Sequence, residues 1–311
     1  MGAHWLAFEG VLKSGDGHLL TKAVQIAKDS GADIFELVGK PINQMDAMET
    51  AGAVLSGGIS EVSYCRFFPD DGSLGDPMGT DQLEFAYRTM RADIDFIDLL
   101  RFEGLTVKHI TGPSCFMLGC DYGNYSTPHE TVEDAIYFYS LVRDQVEDMQ
   151  LQVNMEYLRR EEDLALGGLD PIREICSELG PNFRWHGDTF HMSKRRVNWV
   201  QEILSAAEDR HGVPLLGYLH AHGHDRGLPG LQTADDLGSF DTFDGWVGLF
   251  RALDLIDYKG PLVAEPFGAV VREQIPVLGD GLPPAIEPSM YYRNTLDFLR
   301  QTSQIALERF P

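Results

Sequence analysis

Short apolar runs alternate with longer stretches whose apolar residues recur at helical spacing, from one end of the chain to the other. The pattern predicts strands at residues 4–8, 33–38, 61–68, 106–111, 151–156, 183–188, 215–220 and 261–264. Between and after them it predicts helices at 19–30, 47–55, 82–102, 132–146, 171–179, 197–209, 243–255 and 289–309. In the first helix Leu19, Leu20, Ala23, Ile26 and Ala27 share a face, and Gly31 stops it. A polar Asp/Gly loop covers 70–76, and Thr127-Pro128 with the acids after it suits a helix start. No Pro/Gly/Ser-rich linker divides the chain. Strand then helix, eight times, points to a single (β/α)8 TIM barrel over residues 1–311, with its chemistry at the C-terminal ends of the strands.

Length agrees, since 311 residues lie within the range that one α/β barrel reaches. No run of about 18 apolar residues offers a membrane span, and the N-terminus lacks a basic segment before its short apolar run. Cys65, Cys115, Cys120 and Cys176 lack the CxxC pairing of zinc ribbons, which fits reduced thiols in a cytoplasm. The net charge of −23, from 48 acidic and 25 basic side chains, repels polyanions. It argues against a nucleic-acid partner and for a neutral small molecule.

Chemistry enters at the ends of the last four strands. Leu151-Gln-Val-Asn-Met-Glu156, Phe183-Arg-Trp-His-Gly-Asp188, Leu215-Leu-Gly-Tyr-Leu-His220 and Leu262-Val-Ala-Glu265 each finish on a residue able to bind a metal. A charge after an apolar strand is costly unless paired or metal-bound. Glu156, Asp188, His220 and Glu265 therefore form a candidate site for one divalent ion, and three carboxylates with one imidazole suit Mn2+, Co2+ or Mg2+. The nearby His220-Ala-His222-Gly-His224-Asp225 is superficially similar to a dinuclear zinc signature, but its aspartate and third histidine are exchanged. His222 and His224 are expected to be loop residues that touch substrate or face solvent.

Four segments together, Glu156-Tyr-Leu-Arg-Arg-Glu-Glu162, Gly187-Asp-Thr-Phe-His-Met192, His220 through Asp225-Arg-Gly-Leu-Pro-Gly230, and Ala264-Glu-Pro-Phe267, resemble the ketose 3-epimerases. These are the D-tagatose and D-psicose (allulose) 3-epimerases of the xylose-isomerase-like barrels. The resemblance is specific over residues 150–268 and only general before them, where Asp33-Ile-Phe-Glu-Leu matches a common second-strand pattern. It implies the same metal ligands, with Mn2+ foremost, and sugar contacts from Glu162, His191 and Arg226. It also implies that Glu156 and Glu265 move the C3 proton of a free ketose such as D-allulose, D-fructose or D-tagatose, through a metal-stabilised enediolate. A homodimer or homotetramer is implied as well.

The chain departs from that pattern after the fourth strand, where 112–122 lacks the family's sugar-facing tryptophan. Trp5, Phe8, Phe67 and Phe116 are the aromatics available to replace it or to fill the core. The same metal site would also serve a sugar isomerase, an inosose dehydratase, a lyase cleaving 3-oxo-glycosides or a non-catalytic carbohydrate-binding barrel. An abasic-site endonuclease on this scaffold needs a basic face and more early histidines than the chain has.

Overall fold

The structure is a computed structural model, and it describes residues 1–4, 17–39, 46–65, 80–112, 128–158, 168–207, 211–223, 229, 240–265 and 287–309. Eight parallel strands close into a barrel in chain order. They are β1 (Gly2–His4), β2 (Ile34–Val38), β3 (Glu61–Cys65), β4 (Thr106–Thr111), β5 (Gln152–Glu156), β6 (Phe183–Asp188), β7 (Leu216–Ala221) and β8 (Leu262–Ala264). β8 returns to β1, with Gly2 opposite Val263 and Ala3 opposite Ala264. Among the described residues the helices are α1 (Gly17–Asp29), α2 (Ala47–Ser56), α3 (Thr80–Phe102), α4 (Pro128–Ser140) and α5 (Arg143–Asp148). They continue with α6 (Leu169–Leu179), α7 (Thr189–Lys194), α8 (Trp199–Ser205), α9 (Phe243–Leu255) and α10 (Glu287–Arg309). None is long and apolar enough to cross a membrane.

Alternation along the strands sorts the side chains into two environments. Phe35 and Leu37, Val62 and Tyr64, and Val153 and Met155 join one buried apolar cluster with helix residues such as Leu20, Val24, Val54, Ile94 and Ile172. α6 is typical of the covering layer: Leu169, Ile172, Ile175, Cys176 and Leu179 bury one face, each large apolar side chain contributing about 1.5–3 kcal/mol. The residues between the apolar strand positions are polar, and Glu36, Ser63 and Asn154 are all fully buried. They face the barrel axis, where Ser63 Oγ and Tyr218 OH meet at 2.6 Å across from β3 to β7. Branched apolar residues usually fill such an axis. Here hydrogen-bonding groups do.

Local signals account for most boundaries. Gly31 follows α1 with φ of +91°, a left-handed position that glycine adopts without steric cost. Asp46 caps α2, its Oδ1 accepting from the Glu49 N–H at 2.7 Å. The expected strand at 4–8 instead begins at Gly2, because barrel closure between β2 and β8 sets its register; residues beyond His4 lie outside the described set. The strand expected at 61–68 is described as far as Cys65. The single helix expected at 132–146 is two, broken where Leu141 and Val142 bond back only three residues, to Phe138 and Tyr139. The helix expected at 197–209 is the shorter α8, started by the Asn198 cap. α7 was not expected at all. Cys65 and Cys176 are buried free thiols, and Cys115 and Cys120 lie outside the described residues.

His109 of β4 lies near the bottom of the axis, its Nδ1 3.5 Å from Asn154 Nδ2. Burial outweighs its hydrogen bond to Gln152 and lowers its pKa to about 4. The folded protein therefore keeps His109 neutral while the unfolded chain takes a proton as pH falls through 6.5. Stability drains away between pH 6.5 and about 4, by up to about 3 kcal/mol from this group. His109→Gln is expected to flatten the urea-midpoint profile over that window, and parallel profiles for the two proteins would contradict this.

Candidate metal centre

The barrel register carries the four expected ligands to one end. Asp188, the last residue of β6, lies opposite His220 of β7, and Glu156, the last of β5, lies opposite His186 of β6. Glu265 directly follows β8, its N–H donating to Ala221 O at 3.3 Å. All four are buried, at 5% exposure for Glu156, 1% for Asp188, 2% for His220 and 6% for Glu265. The fold thus brings these four side chains together at the C-terminal strand ends.

His220 stands at the middle of the cluster. Its Nδ1 is 2.9 Å from Glu265 Oε2 and 3.7 Å from Asp188 Oδ2, while its Nε2 is 2.6 Å from Glu36 Oε2. The other Glu36 oxygen accepts from the Thr111 hydroxyl at 2.5 Å. A proton on Nε2, donated to Glu36, leaves the Nδ1 lone pair facing Glu265 and Asp188. Asp188 does two jobs: Oδ1 caps α7 by accepting from the His191 N–H at 2.8 Å, and Oδ2 lies 2.8 Å from His222 Nε2. His191, buried on α7, places Nε2 3.5 Å from Glu156 Oε1.

Electrostatics identify this as a place that draws positive charge. Burial penalises the Asp188 carboxylate, but His222, His191 and His220 together hold its pKa well below the usual range. Burial likewise opposes a charged His220, yet Glu265 and Glu36 raise its pKa well above that of a free imidazole. Among the described residues no lysine or arginine is buried, so imidazoles supply the buried positive charge there. A proton meets that demand in the absence of an ion, and a divalent cation meets it better.

The donors fit such a cation. Ligand-capable atoms of Glu156, Asp188 and His191, of Asp188, His222 and Glu265, and of Glu156, His186 and His220 each lie within 4.8 Å of one another. Oxygen and nitrogen atoms about 3.0–3.4 Å apart surround a common centre at the usual 2.0–2.2 Å bond length. Two members of the cluster, Glu36 and His186, carry no expectation from the sequence, and His222 was expected only as a loop residue. His186 shares parity with Asp188 and His222 with His220, and Glu36 alternates with the core residues Phe35 and Leu37. That period-two relation was the available signal. One alternative for His222 is corrected: in the loop that follows β7 it is 1% exposed and bonded to Asp188, so it does not face solvent. Glu162, Arg226 and His224, with Trp5, Phe8, Phe67 and Phe116, lie outside the described residues.

Fold and site together define a parallel eight-stranded α/β barrel with a buried carboxylate–imidazole centre at the C-terminal ends of its strands. Residues 24–302 match the family described as xylose isomerase-like TIM barrel, and the chain belongs to it. The L-ribulose 3-epimerase of Methylomonas sp. strain DH-1 is 27% identical over 56% of this chain and 57% of its own length. A ketose 3-epimerase of Arthrobacter globiformis is 33% identical over 42% of this chain and 40% of its own. The chain thus spans about half the length of these curated relatives in the matched segments. A solved D-allulose 3-epimerase from Methylomonas sp., in complex with D-allulose, has a TM-score of 0.73 at 19% identity, covering 97% of this chain and 96% of that one.

Glu36 tests the geometry from outside the expected quartet. Glu36→Gln removes the anion that orients His220 and is expected to weaken divalent-cation binding roughly 10–100-fold. Titration calorimetry of the chelator-stripped protein with Mn2+ reads this, and unchanged affinity would remove Glu36 from the support of the centre.

Proposed function

We propose that the chain is a metal-dependent epimerase that inverts C3 of a free, unphosphorylated ketose. The observation that carries this reading is the order of the site along the barrel: Glu156 ends β5, Glu265 directly follows β8, and Asp188 and His220 come from the two strands between them. Two carboxylates thus flank an imidazole and a third carboxylate in strand order, which supports assigning them to the two faces of one carbon. The relatives' printed activities, on L-ribulose, on ketoses and on D-allulose, point the same way.

A proton beside a carbonyl is weakly acidic, and a bound divalent ion supplies the charge that stabilises the enediolate oxygens once it leaves. Mn2+ is the first expectation from the resemblance, with Co2+ and Mg2+ next. One of Glu156 and Glu265 accepts the C3 proton and the other delivers a proton to the opposite face. His191 sits against Glu156, where it can orient that carboxylate and donate to a sugar hydroxyl. Glu162 and Arg226 are assigned sugar contacts by their motif positions. The net charge of −23 favours a neutral sugar over a phosphorylated one. The assembly proposed is one barrel per chain, paired as a homodimer or homotetramer.

Incubation with Mn2+ and a panel of ketoses, followed by chromatography, is expected to yield mixtures of C3 epimers. Glu156→Gln and Glu265→Gln should each lower turnover roughly 10²–10⁴-fold in folded protein. Near-wild-type turnover in either variant would remove that residue from proton transfer. An aldose product would mark an isomerase, a dehydrated product an inosose dehydratase, and a cleaved 3-oxo-glycoside a lyase. Sugar binding without conversion would mark a non-catalytic barrel.

A further inference from the structure

The geometry points to His222 as an inner ligand of the same ion, making the centre richer in nitrogen than the four strand-end residues alone. The inference rests on the metal-centre reading and deepens it. His222 Nε2 is 2.8 Å from Asp188 Oδ2 and 3.7 Å from Glu265 Oε2. His220 Nδ1 meets the same two oxygens in the opposite order, at 2.9 Å from Glu265 Oε2 and 3.7 Å from Asp188 Oδ2. Two nitrogens and two oxygens therefore alternate, with neighbouring separations of 2.9, 3.7, 2.8 and 3.7 Å. These bracket the roughly 3.0–3.4 Å spacing of neighbouring ligands about one ion.

His222 is also held for this task. Its backbone N–H donates to Thr189 Oγ1 at 3.0 Å, and the Thr189 hydroxyl donates to its carbonyl at 2.7 Å. Its ring stacks on Phe190 with centroids 5.5 Å apart and planes 23° from parallel. Both anchors belong to the start of α7, the helix that Asp188 caps, so His222 and Asp188 are fixed to one rigid element. A second histidine strengthens the case. His186 is fully buried, and neither ring nitrogen has a hydrogen-bond partner among the described residues. Its ring lies 4.1 Å from that of His220, and it falls within ligand reach of Glu156.

Two imidazoles among carboxylates favour borderline ions over hard ones. Co2+ and Zn2+ should therefore bind this protein more tightly than Mn2+ or Mg2+, by a wider margin than the quartet alone would give. The test titrates chelator-stripped protein, without sugar, with Co2+ followed by visible absorption and calorimetry, and repeats the calorimetry with Mg2+. His222→Ala is expected to lower Co2+ affinity by roughly 10–100-fold or more, to change the Co2+ d–d absorption bands, and to leave the weaker Mg2+ affinity less affected. His222→Gln, which can still donate to Asp188, separates ligation from orientation: it too should lose the wild-type bands.

Wild-type bands and affinity in His222→Ala, their restoration in His222→Gln, or failure of the wild type to bind Co2+ would each overturn the inference. Circular dichroism of the stripped variants checks folding, and if His222→Ala does not fold, the His222→Gln spectrum decides. Ketose turnover is read separately. Co2+ bands that depend on His222 without any epimerisation would defeat the functional reading alone, whereas epimerisation with bands indifferent to His222 would defeat this inference alone.

Discussion

Everything at the active end of this barrel follows from burying carboxylates. Glu36, Glu156, Asp188 and Glu265 are each at most 6% exposed, gathered around one imidazole. An ionised carboxylate removed from water without compensation costs many kcal/mol, so such a group persists only against positive charge or converging donors. His220 lies between two of them, and its raised proton affinity records how strongly the pocket draws a cation. A divalent ion resolves the same imbalance with more charge and more ligands.

The fold prepares that demand through elementary alternation. Odd and even strand positions separate an apolar layer under the helices from a hydrogen-bonding axis, and the axis leads upward to the ligand atoms. Glu36 is the brace: Thr111 holds one of its oxygens, and the other fixes the ring of His220. Asp188 couples two levels of structure, since the cap that starts α7 also aims its second oxygen into the centre. Polar contacts such as Ser63 with Tyr218 replace apolar filling in the barrel. Precision at the site thus comes from groups that contribute less to the core than Val or Ile would.

Much of this could be read from the chain, and the limits have physical causes. Strand–helix alternation and charges terminating apolar runs revealed the barrel and the four strand-end residues that converge in it, because both depend on local sequence. Glu36 escaped because a charged residue inside a strand reads as a break in the apolar run until barrel closure gives it an inside to face. His186 escaped, and His222 was expected only as a loop residue, for a related reason: each stands two residues from a strand-end candidate, and only a paired strand or an anchored exit makes that spacing a shared direction. The end of α4 and the short α7 depend on three-residue hydrogen bonds and an aspartate cap, which apolar periodicity does not register.

The central requirement is an ion held at one point by residues from β5 to β8. Anomalous diffraction at the manganese edge, from crystals grown with Mn2+, tests this most directly. A single strong peak within about 2.0–2.4 Å of ligand atoms from Glu156, Asp188, His220 and Glu265 is the predicted result. A fully substituted crystal with no peak there, or with its ion bound elsewhere, would contradict it.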